Sequence, residues 1–310
     1  MELHIAPLQG FTGAAWRHFR RAVYGDAHPE YTPFVRHERG QVRDRDLRDY
    51  TSPLNSGTDL TPQVIFKDVA ELAAITDTLV SAGATRIDLN CGCPFPPQTR
   101  RGRGAAVIAR PALLSEISHF ISSRPEIRFS LKMRLGMELP DEWRNIIDII
   151  NGMPLRHITV HPRVARQQYA GELHQEEFGK LLERSGHPVI YNGELHTPED
   201  IAAIAARFPD IKGVMVGRGL CARPSLLAEY ACGKEWTAEM RISCFLDFHD
   251  RLLEYYEKTL CGPVQILQNI KPFWTNAEGL IGHRTFKLIA KAGSLASYKG
   301  VMERIAQTAV

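Results

Sequence analysis

The segment Asp88-Leu89-Asn90-Cys91-Gly92-Cys93-Pro94 sets two thiols around one glycine, directly after a short apolar run and directly before a proline. A cysteine in such a turn is open to a substrate and can serve as an acid, a nucleophile or a metal ligand. Cys91 and Cys93 are too few for a structural zinc or iron–sulfur site, and Cys221, Cys232, Cys244 and Cys261 supply no second close pair. No metal site is therefore expected. Lys132, Arg134, His161, Asn192 and Arg218 stand at the ends of similar short runs. Ammonium, guanidinium, imidazole and amide groups bind anions, orient polar rings or move protons.

Such groups work together only if the scaffold brings those run ends to one place. Short β-branched segments recur at 4–8, 31–36, 63–66, 86–90, 128–134, 157–163, 188–193 and 213–219, with helical stretches between them. From Asp68 to Gly83, for example, Leu72, Ile75 and Leu79 line one helical face and Gly83 is placed to end it. Strand, helix and strand in alternation imply a parallel sheet covered by helices. Eight segments is the number a (β/α)8 TIM barrel requires, and a barrel gathers the carboxyl ends of its strands at one mouth. An open doubly wound sheet would give similar local signals; the closed barrel is the expected architecture.

Beyond Gly219 no further strand is evident. Ile242, Phe245, His249, Leu252 and Tyr256 mark an amphipathic helix, Ile266, Ile270 and Phe273 a second, and Phe286 and Ile289 a third. The expectation is a catalytic barrel over 1–235 and a helical domain of three or four helices over 240–310, joined near Cys232, Gly233 and Lys234.

The formal charge of +3, from 38 Lys and Arg against 35 Asp and Glu, neither demands nor excludes a polyanionic partner, so distribution must decide. Scattered cysteines suit free thiols in a reducing compartment. No run approaches a membrane span, and the first ten residues lack the layout of a secretory signal. A cytoplasmic protein with no membrane partner is expected.

Seven pieces in order, IAPLQGFT at 5–12, QVIF at 63–66, DLNCGCP at 88–94, LKMRLG at 131–136, TVHPR at 159–163, YNGE at 191–194 and VMVGRG at 214–219, carry a resemblance to the bacterial tRNA-dihydrouridine synthases that runs over nearly the whole chain. That resemblance implies an FMN-binding barrel, NADPH as the reductant, tRNA as the partner, a monomer, and reduction of the C5–C6 double bond of specific uridines to 5,6-dihydrouridine. Carried over residue by residue, Cys93 matches the cysteine that protonates C5, and Cys91 is a supporting loop residue. Ala6, Pro7 and Leu8, Gln63, Asn90, Lys132, Arg134 and His161 match residues around the flavin. Asn192, Gly193 and Glu194, with Gly217 and Arg218, match its phosphate end. An ammonium at Lys132 would stabilise negative charge on a reduced flavin.

The chain also departs from the family. Pro96 stands where a lysine usually follows the cysteine, Pro33 replaces a frequent acidic residue, and Arg101 and Arg103 interrupt the glycine-rich run. Arg100, Arg101 and Arg103 could grip RNA phosphates, and Lys271, Arg284 and Lys287 give the helical domain a second basic strip. These six are the expected substrate-binding residues. Competing readings are a barrel flavin oxidoreductase acting on small unsaturated substrates, a synthase acting on another structured RNA, and a non-catalytic RNA-binding protein.

Overall fold

The computed structural model describes residues 1–25 and 27–308. The chain divides into two compact units. The first comprises Met1–Pro7, His28–Gly193 and Ala203–Val216; the second comprises Leu8–Ala27, Glu194–Ala202 and Gly217–Val310.

The first unit is an α/β fold built on a curled sheet flanked by helices. Its strands are β1 (Glu2–Ile5), β2 (Glu30–Tyr31), β3 (Val35–Glu38), β4 (Gln41–Val42), β5 (Leu60–Thr61), β6 (Gln63–Ile65), β7 (Arg86–Cys91), β8 (Arg128–Gly136), β9 (Leu155–Val164), β10 (Val189–Tyr191) and β11 (Gly213–Val216). They lie in the order β4-β3-β6-β7-β8-β9-β10-β11-β1-β2-β5. All neighbours are parallel except the β3–β4 hairpin. Parallel strands need helical crossovers on their faces, which is why β7, β8 and β9 are buried along nearly their whole length.

One expected strand is broken at a proline, and a second is preceded by an extra strand across another proline. The run at 31–36 becomes β2 and β3 around Pro33, and a short β5 precedes the run at 63–66 across Pro62. Proline has no N–H to give a ladder. At the break the Thr32 hydroxyl accepts the Gln63 N–H at 3.1 Å.

The helix expected between Asp68 and Gly83 spans Val69–Ser81. The Asp68 carboxylate accepts the Glu71 N–H at its N-cap (2.8 Å), and Gly83 takes the left-handed conformation just past its end. Leu72, Ile75 and Leu79 are fully buried, each contributing roughly 1.5–3 kcal/mol.

The second unit is helical and is not confined to 240–310. Helix Ala14–Tyr24 joins it, packing Trp16 and Tyr24 on Phe248 of the long helix Ala238–Thr259 with ring centroids 5.6 and 6.2 Å apart. The last segment of this unit begins at Gly217, before the linker expected near Cys232. After the long helix come Pro263–Ile270, the 3-10 turn Lys271–Trp274, Glu278–Ile281, His283–Lys291 and Leu295–Thr308, shorter and more numerous pieces than expected. Gly262 and Gly282 at positive φ, and Pro272, punctuate them. Trp274 and His249 both meet the buried Tyr298 hydroxyl, at 2.6 and 2.5 Å.

Candidate active site

Alternation along a strand puts residues i and i+2 on one face, and the register of β6 to β9 stacks those faces into layers. Gln63 lies opposite Asp88, and Asp88 opposite Ser130. One step further, Asn90 lies opposite Lys132 and Lys132 opposite Thr159; a step beyond that, Arg134 lies opposite His161. The polar positions thus converge because their strands are in register.

Hydrogen bonds run through these layers in one direction. The Ser130 hydroxyl donates to Asp88 Oδ1 (2.6 Å) and Gln63 Nε2 donates to Asp88 Oδ2 (2.7 Å). Asn90 Nδ2 donates to Gln63 Oε1 at 2.7 Å. Asn90 Oδ1 then accepts the backbone N–H groups of Gly92 (3.1 Å) and Cys93 (2.9 Å). Asp88 is fully buried, and burial raises its carboxyl above the usual range, against the hydrogen bonds from Ser130 and Gln63.

The turn carrying Cys93 is held from two further sides. Arg134, buried, donates through Nε to the Gly92 carbonyl and through a terminal nitrogen to that of Val164, both at 3.0 Å, and its guanidinium lies 5.4 Å from the centroid of the exposed Tyr169 ring. The Cys93 carbonyl accepts the Ala105 N–H at 3.0 Å. Gly104, at φ +60°, lets this happen: a Cβ there would sit 2.7 Å from that same carbonyl oxygen.

The two thiols differ as their positions require. Cys91 ends β7 fully buried, and burial pushes its pKa far above the ordinary value, so it is inert at neutral pH. Cys93 is half-buried; burial raises it too, partly offset by a backbone hydrogen bond and the charges of Arg134 and Lys132. Lys132 is half-buried in the middle of β8, not at its end. Burial, then the nearby Arg134 charge, pushes its ammonium down to about 8.

Among the described residues, no protein oxygen lies within hydrogen-bonding distance of the Lys132 ammonium. An ammonium beside amides of Gln63 and Asn90 that each keep a second N–H is a donor set suited to the carbonyl edge of a polar ring. His161 is buried on the same face.

The remaining expected residues fall into two groups. In the first unit, the Ala6 N–H donates to the Val216 carbonyl (2.8 Å) and Asn192 Nδ2 to that of Met215 (2.8 Å). Pro7 ends a segment of the first unit, while Gly193 packs so closely on Pro162, Leu173 and Tyr191 that a Cβ would sit 3.2–3.3 Å from them. In the second unit, the Leu8 N–H donates to the Thr12 hydroxyl (2.8 Å), and Arg218 pairs with Glu194 at 2.5 Å. Gly217 caps the short helix Arg218–Ala222.

The basic residues also part company. Arg100 and Arg101 are exposed, but Arg103 is buried and clasps Glu71 with both carboxylate oxygens (3.1 and 2.7 Å) while donating to the His37 carbonyl. Arg284 and Lys287 are exposed. Lys271 donates to the carbonyls of Ala290 (2.8 Å) and Ala292 (3.1 Å) at the end of helix His283–Lys291.

Asp88, Ser130, Gly104 and Tyr169 were not among the expected site residues. The first carried a legible signal, because it precedes Asn90 by two on the same strand face; the other three depend on contacts far apart in sequence. Among the described residues no cluster of three or more His, Cys, Asp and Glu is placed to hold a metal, and no helix is long and apolar enough to cross a membrane.

A family model described as dihydrouridine synthase (Dus) matches residues 4–292. The chain is 29% identical over 168 residues to tRNA-dihydrouridine synthase B of Pseudomonas putida, covering 54% of this chain and 50% of that one. It is 28% identical to a probable tRNA-dihydrouridine synthase of Treponema pallidum, covering 73% and 68%. A human tRNA-dihydrouridine(20a/20b) synthase [NAD(P)+]-like protein is 26% identical over 300 residues, 94% of this chain and 88% of that one. The match to the Pseudomonas protein thus spans half of that relative's length.

Proposed function

Because the chain belongs to the dihydrouridine synthase family, we propose that it is an FMN-dependent enzyme that uses NADPH to reduce specific uridines of tRNA to 5,6-dihydrouridine. The observation that carries this reading is the Cys93 turn, pinned by Asn90 in the same layered face that presents Lys132.

In this reading the curled sheet is a (β/α)8 barrel. Counting β2 with β3 and β5 with β6 as single strands broken at Pro33 and Pro62 leaves eight parallel strands, with the β4 hairpin as an addition. The pairings of β2 with β5 and of β6 with β7 support closure across Pro62.

When bound, FMN supplies the hydride that reaches C6 of the uracil. Cys93 Sγ holds the proton that goes to C5; its raised pKa keeps that proton on sulfur at neutral pH until the carbon needs it. Hydride at C6 and proton at C5 together turn the double bond into a single bond, and water returns a proton to the thiolate. Gln63 and Asn90 orient the flavin ring through their spare amide hydrogens, and the Lys132 ammonium holds negative charge beside it. Arg100, Arg101, Arg284 and Lys287 are the cations assigned to RNA phosphates, and the target base must leave its stack to be reached.

The test is direct. The purified protein should be yellow with noncovalent FMN, and RNA from cells lacking its gene should have lost dihydrouridine at one or more tRNA positions by mass spectrometry. No flavin uptake, or an unchanged dihydrouridine map, overturns the reading.

A further inference from the structure

A carboxylate can only accept hydrogen bonds, whereas the side-chain amides of Gln63 and Asn90 can each turn either way. Asp88 removes that freedom. With Ser130 and Gln63 both donating into it, Gln63 must show its oxygen to Asn90, and Asn90 must then show its own oxygen to the N–H groups of Gly92 and Cys93. Were Gln63 reversed, its oxygen would face the carboxylate and Asn90 would meet a donor instead of an acceptor. Two repulsive contacts in a buried, low-dielectric setting make that arrangement costly.

We propose that Asp88 is a positioning residue: through the directed chain Asp88–Gln63–Asn90 it fixes the orientation of both amides and holds the turn that presents Cys93. The Asp88 carboxylate is hydrogen-bonded by Ser130 and Gln63, so its hydrogen-bonded route to Cys93 runs through the intervening amides. The role deepens the proposed function, and rests on it for the meaning given to Cys93. Its physical content is the rigidity of the turn, which is measurable without flavin or RNA.

The experiment measures hydrogen exchange at the Gly92 and Cys93 amides and the alkylation rate of the Cys93 thiol. It uses the full chain, free of flavin and RNA, as parent, Asp88→Ala and Asp88→Asn, with the amides of β8 as an internal reference. Alanine removes both acceptors. Asparagine can still accept from Gln63 through its oxygen while its nitrogen donates to the Ser130 hydroxyl, so it should restore the chain. Expected are an exchange rate at Gly92 and Cys93 raised about tenfold or more in Asp88→Ala, a faster alkylation, β8 unchanged, and a return to within about threefold of the parent in Asp88→Asn. Parent-like exchange in Asp88→Ala overturns the proposal. So does equal acceleration of the turn and of β8 in both variants, which would make Asp88 merely a core residue. Should Asp88→Ala fail to fold, Gln63→Met breaks the same chain at its middle, and unaltered exchange at Gly92 and Cys93 there is equally fatal. Failure of FMN uptake or of the dihydrouridine map leaves this readout untouched, so the two ideas fail separately.

Discussion

Asn90 accepts the backbone N–H of Cys93 at 2.9 Å, so the residue that offers an amide beside Lys132 also sets the position of the thiol. In the proposed mechanism, cofactor binding and proton delivery would be coupled through this one side chain, three residues from the cysteine.

Replacing Cys93 with alanine should leave FMN binding and its reduction by NADPH intact, since neither step needs a proton at C5. Reoxidation by RNA should slow by roughly 10²–10⁴, the usual worth of a positioned acid. Cys91→Ala should keep the parent rate, because its buried thiol has no path to substrate. Stopped-flow absorbance separates the two half-reactions; a parent-like reoxidation rate in Cys93→Ala would remove the acid from the mechanism.

Lys132 gives a pH dependence with a definite sign. Its ammonium titrates at about 8 in the folded protein, against ~10.4 unfolded. Between these values the unfolded chain binds more protons, so this group's contribution to stability rises with pH across the window. Below it, both states are charged and the full desolvation cost is present. Lys132→Met should raise the urea midpoint at pH 7, with the advantage narrowing by pH 10. Equal midpoints of variant and parent at both pH values would mean that the ammonium is fully hydrated in the folded state.

The three arginines after Cys93 should separate by experiment. Arg103→Met removes two charged hydrogen bonds from the Glu71 carboxylate, leaving it Lys67 (ammonium at 3.5 Å, backbone N–H at 3.1 Å), and should cost about 1.5–3 kcal/mol in denaturant unfolding. Arg100→Ala and Arg101→Ala should stay within about 0.5 kcal/mol of the parent while weakening RNA binding. A stable Arg103→Met with a selective loss of RNA affinity would reverse this division.

The second unit offers a parallel contrast. Changing Arg284 and Lys287 together to alanine should reduce the salt slope of RNA binding by up to about two, with no change in melting temperature. Lys271→Ala should do the opposite, lowering stability by about 1 kcal/mol as two helix-end carbonyls lose a charged donor. Salt titrations and thermal melts on both variants decide it.

Much of this was legible from order and period alone. Alternating short apolar runs located β6 to β9, the helix over Val69–Ser81 obeyed its three apolar positions, and the glycine and proline around Cys93 marked an open turn. These signals are local: a strand or helix period is written in neighbouring residues, and a proline withholds an N–H from the ladder, as Pro33 and Pro62 do, although β9 runs on through Pro162. What the sequence could not decide was partnership. Arg101 and Arg103 are alike in type and two residues apart, yet only Arg103 meets a buried carboxylate, thirty-two positions away. Asp88 became the anchor of the Cys93 turn only because β6, β7 and β8 lie in register. Helix Ala14–Tyr24 joined the second unit because Phe248 covers its aromatic face. Charge pairing and hydrogen-bond direction depend on which distant group is brought within about 3 Å, and that distance is a property of the folded chain.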